Sequence, residues 1–392
     1  MNDRGDLCMI VAEQHTESGF NNAGYWLNAM IRDGTTGLWG RPVYLRYLGS
    51  PDQDGTDPVE DESYELEWRG MAVVTTRVGD FIVVAGDGST IYQWRYLRVH
   101  GQWLGPEVLV LGIVGQFKHT KIAAEVDTGN RLTIIFDEFA AAPSVDEAIR
   151  RVRFMPGGSI TVDEDEIVIA AEDPYGAGTY WPKWPAFVTD PLDPERIDLV
   201  YAWRNGSNDI ARIISRRNSE WGTPQDLMTP GAGTHTPRTD PAIAIDDRRV
   251  RHLVYCVKAP LGLRKVAYRS LSEDGNLSAQ EIVSTTIGLD LATDPVRHPG
   301  AEFLSVAYHS RYSELIIAWD EQTSTGSIPA HGMRFAYSRD AISGDRVDAP
   351  QFQVDCFTVG CASNADSAAE IELQDFSVTA DVGVRRTPWW RD

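Results

Sequence analysis

The sequence predicts an all-β chain folded as a single β-propeller, and three observations carry that prediction. A Trp-x-x-Pro signature with a short apolar end recurs in "GLWGRPVYL" (37–45), "GQWLGPEVL" (101–109) and "SEWGTPQDL" (219–227). Before each signature stands a β-rich run carrying an arginine near its end, and further apolar, β-branched runs stand upstream of most of these. The layout then repeats without the tryptophan, with Ile160, Leu277 and Val347 in its place, so that successive anchors fall 56 to 70 residues apart. Periods of that length mark propellers and solenoids. Four strands per period and a terminal segment that repairs the first unit favour the propeller, with six blades.

Taken in order, the first unit lacks an innermost strand. It opens on "DLCMIVAEQ", continues in "YWLNAMIR" and ends in the outer segment after Trp39. Units two to six each begin with a short run of small apolar residues: "GMAVVTTR", "KIAAEVD", "PAFVTD", "PAIAIDD" and "FLSVAYHS". The second strands follow as "DFIVVAGD", "NRLTIIFDE", "RIDLVYAWR", "VRHLVYCVK" and "ELIIAWDE". Third strands carry Arg32, Arg98, Arg153, Arg216, Arg269 and Arg339. "SVDEAIRRV" has local helical spacing, but its place in the repeat predicts a strand. "DFSVTADVG" (375–383) matches the innermost strands in length and character, so the C-terminus is expected to complete blade 1 and close the ring. The expected organisation is one domain over 1–392. Its blades lie at 5–48 plus 375–383, 68–112, 118–170, 183–228, 239–285 and 301–355, and 356–374 connects the last blade to the closing strand. Trp-x-x-Pro marks the turn into the outer strand. The indole is expected to cover the blade's apolar face, and Pro suits an edge strand because it lacks an N–H.

Composition narrows the function. Twelve tryptophans and 42% apolar residues supply an ample core. A net charge of −21 repels nucleic acid and anionic membrane surfaces, so neither is an expected partner. No apolar run reaches the ~18 residues of a membrane-spanning helix, and no membrane insertion is expected. "MNDRGDLCMIV" shows no secretory signal, which fits cytoplasmic synthesis with release by lysis, as in a virion or other particle-borne component. Cys8 and Cys256 read as buried thiols, and Cys356 and Cys361 could close a small disulfide in an oxidising compartment. No cofactor and no metal site are expected: CxxC and HExxH are absent. "DQDGTD" (Asp52, Asp54, Asp57) begins like a calcium loop but carries Ser63 where the loop needs glutamate.

Two turns then resemble the Ser-x-Asp-x-Gly-x-x-Trp box of sialidase-like propellers. "SEDGNL" (272–277) and "SRDAISGDRV", with Ser338, Asp340 and Gly344, stand at matching places in units five and six. The resemblance implies a propeller that handles carbohydrate. Sialidase chemistry does not carry over. The Arg-Ile-Pro segment of those enzymes is absent, and the repeated arginines belong to third strands, away from the axis.

The loops joining blades, and those joining second to third strands, gather the candidate ligand residues. They are Tyr180, Trp181 and Trp184 in "TYWPKW", Trp203 and Arg204 in "WRNGSND", His235 and Arg238 in "THTPRTD", Arg297 and His298 in "DPVRHP", and Trp319 in "WDE". Aromatic faces beside arginine and histidine suit sugars, whose apolar ring face stacks while flanking groups bond the hydroxyls. The densest set falls at the junctions of blades 3, 4 and 5. The expected function is non-catalytic recognition of a glycan or protein ligand, with assembly into a larger particle. The alternative is a polysaccharide lyase or glycoside hydrolase drawing on Asp137, Glu138, Asp320, Glu321 or the histidines of "KHT" and "THT".

Overall fold

The computed structural model describes residues 4–15, 24–47, 70–87, 90–110, 121–138, 148–170, 180–205, 208–228, 241–258, 264–283, 301–309, 314–322, 331–338 and 353–356. Every regular element among them is a β-strand, including β10 (Ala148–Phe154), which "SVDEAIRRV" enters. The chain is an all-β propeller whose strands form six successive antiparallel sheets.

Blade 1 comprises β1 (Leu7–His15), β2 (Gly24–Arg32) and β3 (Val43–Tyr47). Blade 2 runs from β4 (Met71–Thr75) through β5 (Phe81–Asp87) and β6 (Thr90–Leu97) to β7 (Gln102–Val110). Blade 3 holds β8 (Ile122–Val126), β9 (Leu132–Glu138), β10 and β11 (Val162–Ala170). In blade 4, β12 (Tyr180–Asp190), β13 (Asp193–Asn205) and β14 (Asn208–Arg217) are followed by two short pieces, β15 (Glu220–Trp221) and β16 (Gln225–Asp226), which both pair with β14. The fourth strand expected there is thus split around Pro224. Blade 5 has β17 (Ala242–Ile245), β18 (Arg251–Lys258), β19 (Arg264–Leu271) and β20 (Glu281–Ile282). Blade 6 has β21 (Ala301–His309), β22 (Glu314–Gln322), β23 (His331–Ser338) and β24 (Gln353–Cys356).

The core lies between blades. The innermost strands neighbour one another in the succession β4, β8, β12, β17, β21. A side chain's parity in its strand decides which interface it fills, because alternate residues face opposite sides of a sheet. In β5, Ile82 and Val84 pack toward blade 3 while Val83 and Ala85 pack toward blade 1. In β18, Leu253, Tyr255 and Val257 face blade 4, and Val254 and Cys256 face blade 6. Burial on both faces explains why these strands read as unbroken apolar runs rather than as alternation.

Residues just beyond the innermost strands close the hairpins at one end of the ring. Asp127 Oδ1 accepts the N–H groups of Gly129 and Arg131 at 2.7 and 2.9 Å. Asp246 Oδ1 does the same for Arg248 and Val250 at 2.9 and 2.8 Å, and Asp190 for Leu192 at 3.0 Å. Arginines reinforce this end. Arg249 bridges Asp190 of blade 4 and Glu273 of blade 5 at 2.5 and 2.6 Å. Arg251 and Arg217 both hold the buried Asp198.

The tryptophan signature is less uniform than its sequence suggests. Trp103 lies within β7 and packs on Tyr96, ring centroids 5.3 Å apart, and Trp221 packs against the interface of blades 3 and 4. Trp39, expected to cover an apolar face, is 47% exposed and forms only an isolated bridge with Arg32. The turn at Ser272 closes through Asn276 N–H donors to its Oγ and the reciprocal Ser272 N–H to Asn276 O, with Gly275 at φ 84°. The closing segment 375–383 lies outside the described residues.

Candidate functional site

In blades 2 to 6, the innermost strand starts, the second ends and the third begins at the end opposite the capped hairpins. The structure corrects the expected placement of several candidates there: they belong to strands, not loops. Tyr180, Trp181 and Trp184 lie in the first half of β12, and Trp203 and Arg204 in the last turn of register of β13. Tyr180 stands opposite Asn205, and Trp181 opposite Arg204. Trp319 lies within β22. His235, Arg238, Arg297 and His298 lie outside the described residues.

β12 breaks register between Lys183 and Ala186, and Trp184 sits in the break with φ 54°. A bulky residue in that left-handed region is a true outlier and must be held by its surroundings. Asp137, at the end of β9, supplies the hold. Its Oδ2 accepts the Trp184 N–H at 3.1 Å, and its Oδ1 accepts the Lys121 N–H at 2.7 Å. One buried carboxylate thus ties the start of β8 to the start of β12 across two blades. Asp137 faces blade 4 because Ile135, two residues earlier, packs into the same interface.

The aromatic side chains divide by burial. Trp184 is 6% exposed, and the Lys183 ammonium lies 3.7 Å above its ring centroid. Trp203 is 5% exposed, packs between blades 3 and 4, and carries the Arg212 guanidinium 4.9 Å over its ring. Trp319 is 1% exposed and belongs to the core between blades 5 and 6. What a solute meets over Trp184 is therefore the lysine, not an open indole face.

Toward the other end of the same seam, Glu125 of β8 reaches blade 4 and accepts the Thr189 N–H of β12 at 2.7 Å. Desolvation pushes its carboxyl up to about 8, against the opposing hydrogen bonds from Thr189. Asp137 and Glu125 together satisfy backbone donors on the inner edge of β12. Sequence reading had singled out Asp137 only as a possible catalytic carboxylate. It passed over Lys183, Lys121 and Glu125, whose importance depends on which strands the ring brings together. A group of three or more His, Cys, Asp or Glu side chains able to hold a metal is absent among the described residues.

No protein-family model matches the chain, and no curated protein matches it. Among solved structures it is similar to a protein of unknown function from Dyadobacter fermentans, at 11% identity over 85% of this chain and 92% of that one, TM-score 0.48. It is also similar to an α-L-arabinanase from Cellvibrio cellulosa complexed with arabinohexaose, at 11% identity over 74% and 96%, TM-score 0.40. A Hadza microbial sialidase gives 10% identity over 67% and 52%, TM-score 0.40.

Proposed function

We propose that this propeller recognises a glycan, without cleaving it, at the end of the ring where β12 and β13 meet the blade 3 seam. The observation that carries the reading is the strained Trp184 backbone, held at φ 54° by a buried carboxylate from the neighbouring blade. Strain of this kind persists where a surface must be held in one shape, and clusters at ligand sites. Tyr180, Trp181 and Arg204 share the same strand ends, Trp181 standing opposite Arg204 in the register. His235, Arg238, Arg297 and His298 belong to the proposed ligand set by their sequence positions, and the sialidase-like turns belong to the same reading.

Asp137 itself acts as a clamp in this reading, because both its oxygens accept backbone N–H groups.

A glycan array with a parallel turnover assay tests the proposal, read together with Trp181→Ala. A stacked sugar contributes about 1–3 kcal/mol, by analogy with bases on aromatic side chains. The variant should then bind roughly 5- to 150-fold more weakly with its melting temperature kept. Unchanged affinity with a stability loss of about 3–5 kcal/mol would instead make Trp181 a packing residue. Cleavage of any polysaccharide by the unmodified protein would replace recognition by catalysis.

A further inference from the structure

The capped end of the ring, opposite the proposed glycan site, is built from two sets of turns: innermost to second strand, and third to outer strand. In blades 1 to 3 these turns expose large apolar side chains. They are Leu38 and Trp39 in blade 1, Val78 and Val99 in blade 2, and Met155 and Ile160 in blade 3. Val99 is 81% exposed and Leu38 72%. The fold does not require such residues there. Each hairpin has one residue at positive φ: Gly79, Asn130 or Arg249. The position just before it holds Val78 in blade 2, Gly129 in blade 3 and Arg248 in blade 5. Turns of this kind are otherwise the place of Gly, Asn, Asp and Ser, and clustered exposed apolar groups mark contact surfaces.

Hydrogen bonds fix these turns as one sector. Asp6 accepts the Gly34 N–H at 2.7 Å, and Asp80 accepts the Arg98 N–H at 3.0 Å, tying the start of each second strand to the turn outside it. The Arg77 N–H donates to Asn130 Oδ1 at 3.4 Å and Arg95 Nη1 to the Gly157 carbonyl at 2.8 Å, which joins blade 2 to blade 3. Burial, and then the charges of Asp6 and Asp33, push the Tyr96 hydroxyl up, so blade 1 stands beside blade 2 at this end. A surface held in this way loses little freedom when it binds.

Charge sets the sector apart. Arg41 and Arg77 are exposed and form no ion pair among the described residues. Asp6, Asp80 and Asp127 are buried, and the last two hold Arg95 and Arg131. Asp163, at the start of β11, is bound to Arg153 at 3.0 Å. Asp33 is exposed, and its Oδ1 accepts the N–H groups of Thr35 and Thr36. The turns of blades 4 and 5 differ: they expose Asp193, Glu220, Glu273 and Asp274. Apolar tips and unpaired cations therefore share one sector of a chain whose net charge is −21.

We infer that the capped end of blades 1 to 3 is a docking surface for another protein, whose contact surface is apolar and edged by carboxylates. A two-fold pairing of this chain through the sector would bring its cations together, so charge favours a different protein over a second copy. The surface lies at the far end from the proposed glycan site and does not rest on that reading.

Titration calorimetry on the full chain provides the test. The probe is a random copolymer of glutamate and tyrosine, and poly-L-glutamate is the control that carries charge alone. We expect the copolymer to bind and poly-L-glutamate not to. Val99→Asp and Arg77→Glu alter exposed tips and should keep the parent's melting temperature. Each should weaken copolymer binding roughly tenfold. Leu192→Asp makes the same apolar-to-acid change at an exposed tip of blade 4 and should leave affinity within about twofold. Equal binding of poly-L-glutamate would reduce the contact to charge and overturn the inference. So would a copolymer that does not bind, or one whose binding survives both Val99→Asp and Arg77→Glu. Sedimentation equilibrium of the parent tests the remaining occupant: an oligomer that Val99→Asp dissolves would give the sector to a second copy of this chain and overturn the inference.

Discussion

Glu125 and Glu195 set opposite limits on the pH range of the ring. Glu125 keeps its proton to about 8 because desolvation by the strands around it outweighs the Thr189 hydrogen bonds. The folded chain therefore binds more protons than the unfolded chain between the ordinary carboxylate range and pH 8, and stability falls as pH rises through that window. Glu125→Gln mimics the neutral acid. We expect its melting temperature to lose the parent's decline between pH 5 and 9, and parallel declines would show that Glu125 is already ionised at neutral pH. Glu195 behaves in the reverse sense. Desolvation raises its carboxyl, but hydrogen bonds and charge from Arg153 and Arg216 outweigh that and hold it at about 2. Its contribution is full above the ordinary range near 4.5 and is lost as pH falls toward 2. Arg216 contacts Glu195 at 2.8 Å and is buried. Arg216→Lys keeps the charge but loses the fork, so we expect thermal melting to fall while ligand binding holds. Lost binding with an intact melting temperature would move the site outward along the blade.

At the scale of the element, β12 shows what the sequence discloses and what it withholds. "PAFVTD" is legible as an innermost strand from its small apolar residues and its place in the repeat, and the structure has it so. "TYWPKW" reads as loop because a proline, a lysine and clustered aromatics interrupt the apolar pattern. The structure extends the strand back through them by breaking register and placing Trp184 at positive φ. No local signal announces that break, since its stabilising partner, Asp137, lies 47 residues upstream in another blade. The same reason hid the burial of Trp203 and Trp319: end-of-strand position marks them as rim residues, but parity turns them into the interfaces. Asp137→Ala would orphan the Lys121 and Trp184 N–H groups, each at a cost of about 1–3 kcal/mol when left unpaired and buried. Hydrogen exchange should report faster exchange at the start of β12 in this variant. Unchanged exchange there would mean that the bulge holds itself without the carboxylate.

At the scale of the whole molecule, the repeat made the fold legible because each blade buries its neighbours by the same two-sided packing. The same packing leaves one question at the N-terminus. Among the described residues, blade 1 is a three-stranded sheet whose inner member, β1, pairs with β2 alone, while every other blade places an innermost strand at the axis. β1 is apolar and nine residues long, and an edge of that kind invites pairing with another chain. The sequence offers "DFSVTADVG" as the missing strand: it is built of small and β-branched residues like its counterparts and carries Asp375 at its start and Asp381 near its end. Strand addition to β1 would hydrogen-bond that edge and join the two chain termini in one sheet, so that unfolding either terminus would open the ring. We expect a chain ending at Gln374 to aggregate or to melt well below the parent. The segment supplied in trans as a synthetic peptide should restore part of the lost stability in proportion to its concentration, as any ligand selective for the folded state does. A truncated chain that stays monomeric and melts like the parent would show that β1 is protected some other way, and would remove the C-terminal strand from the ring.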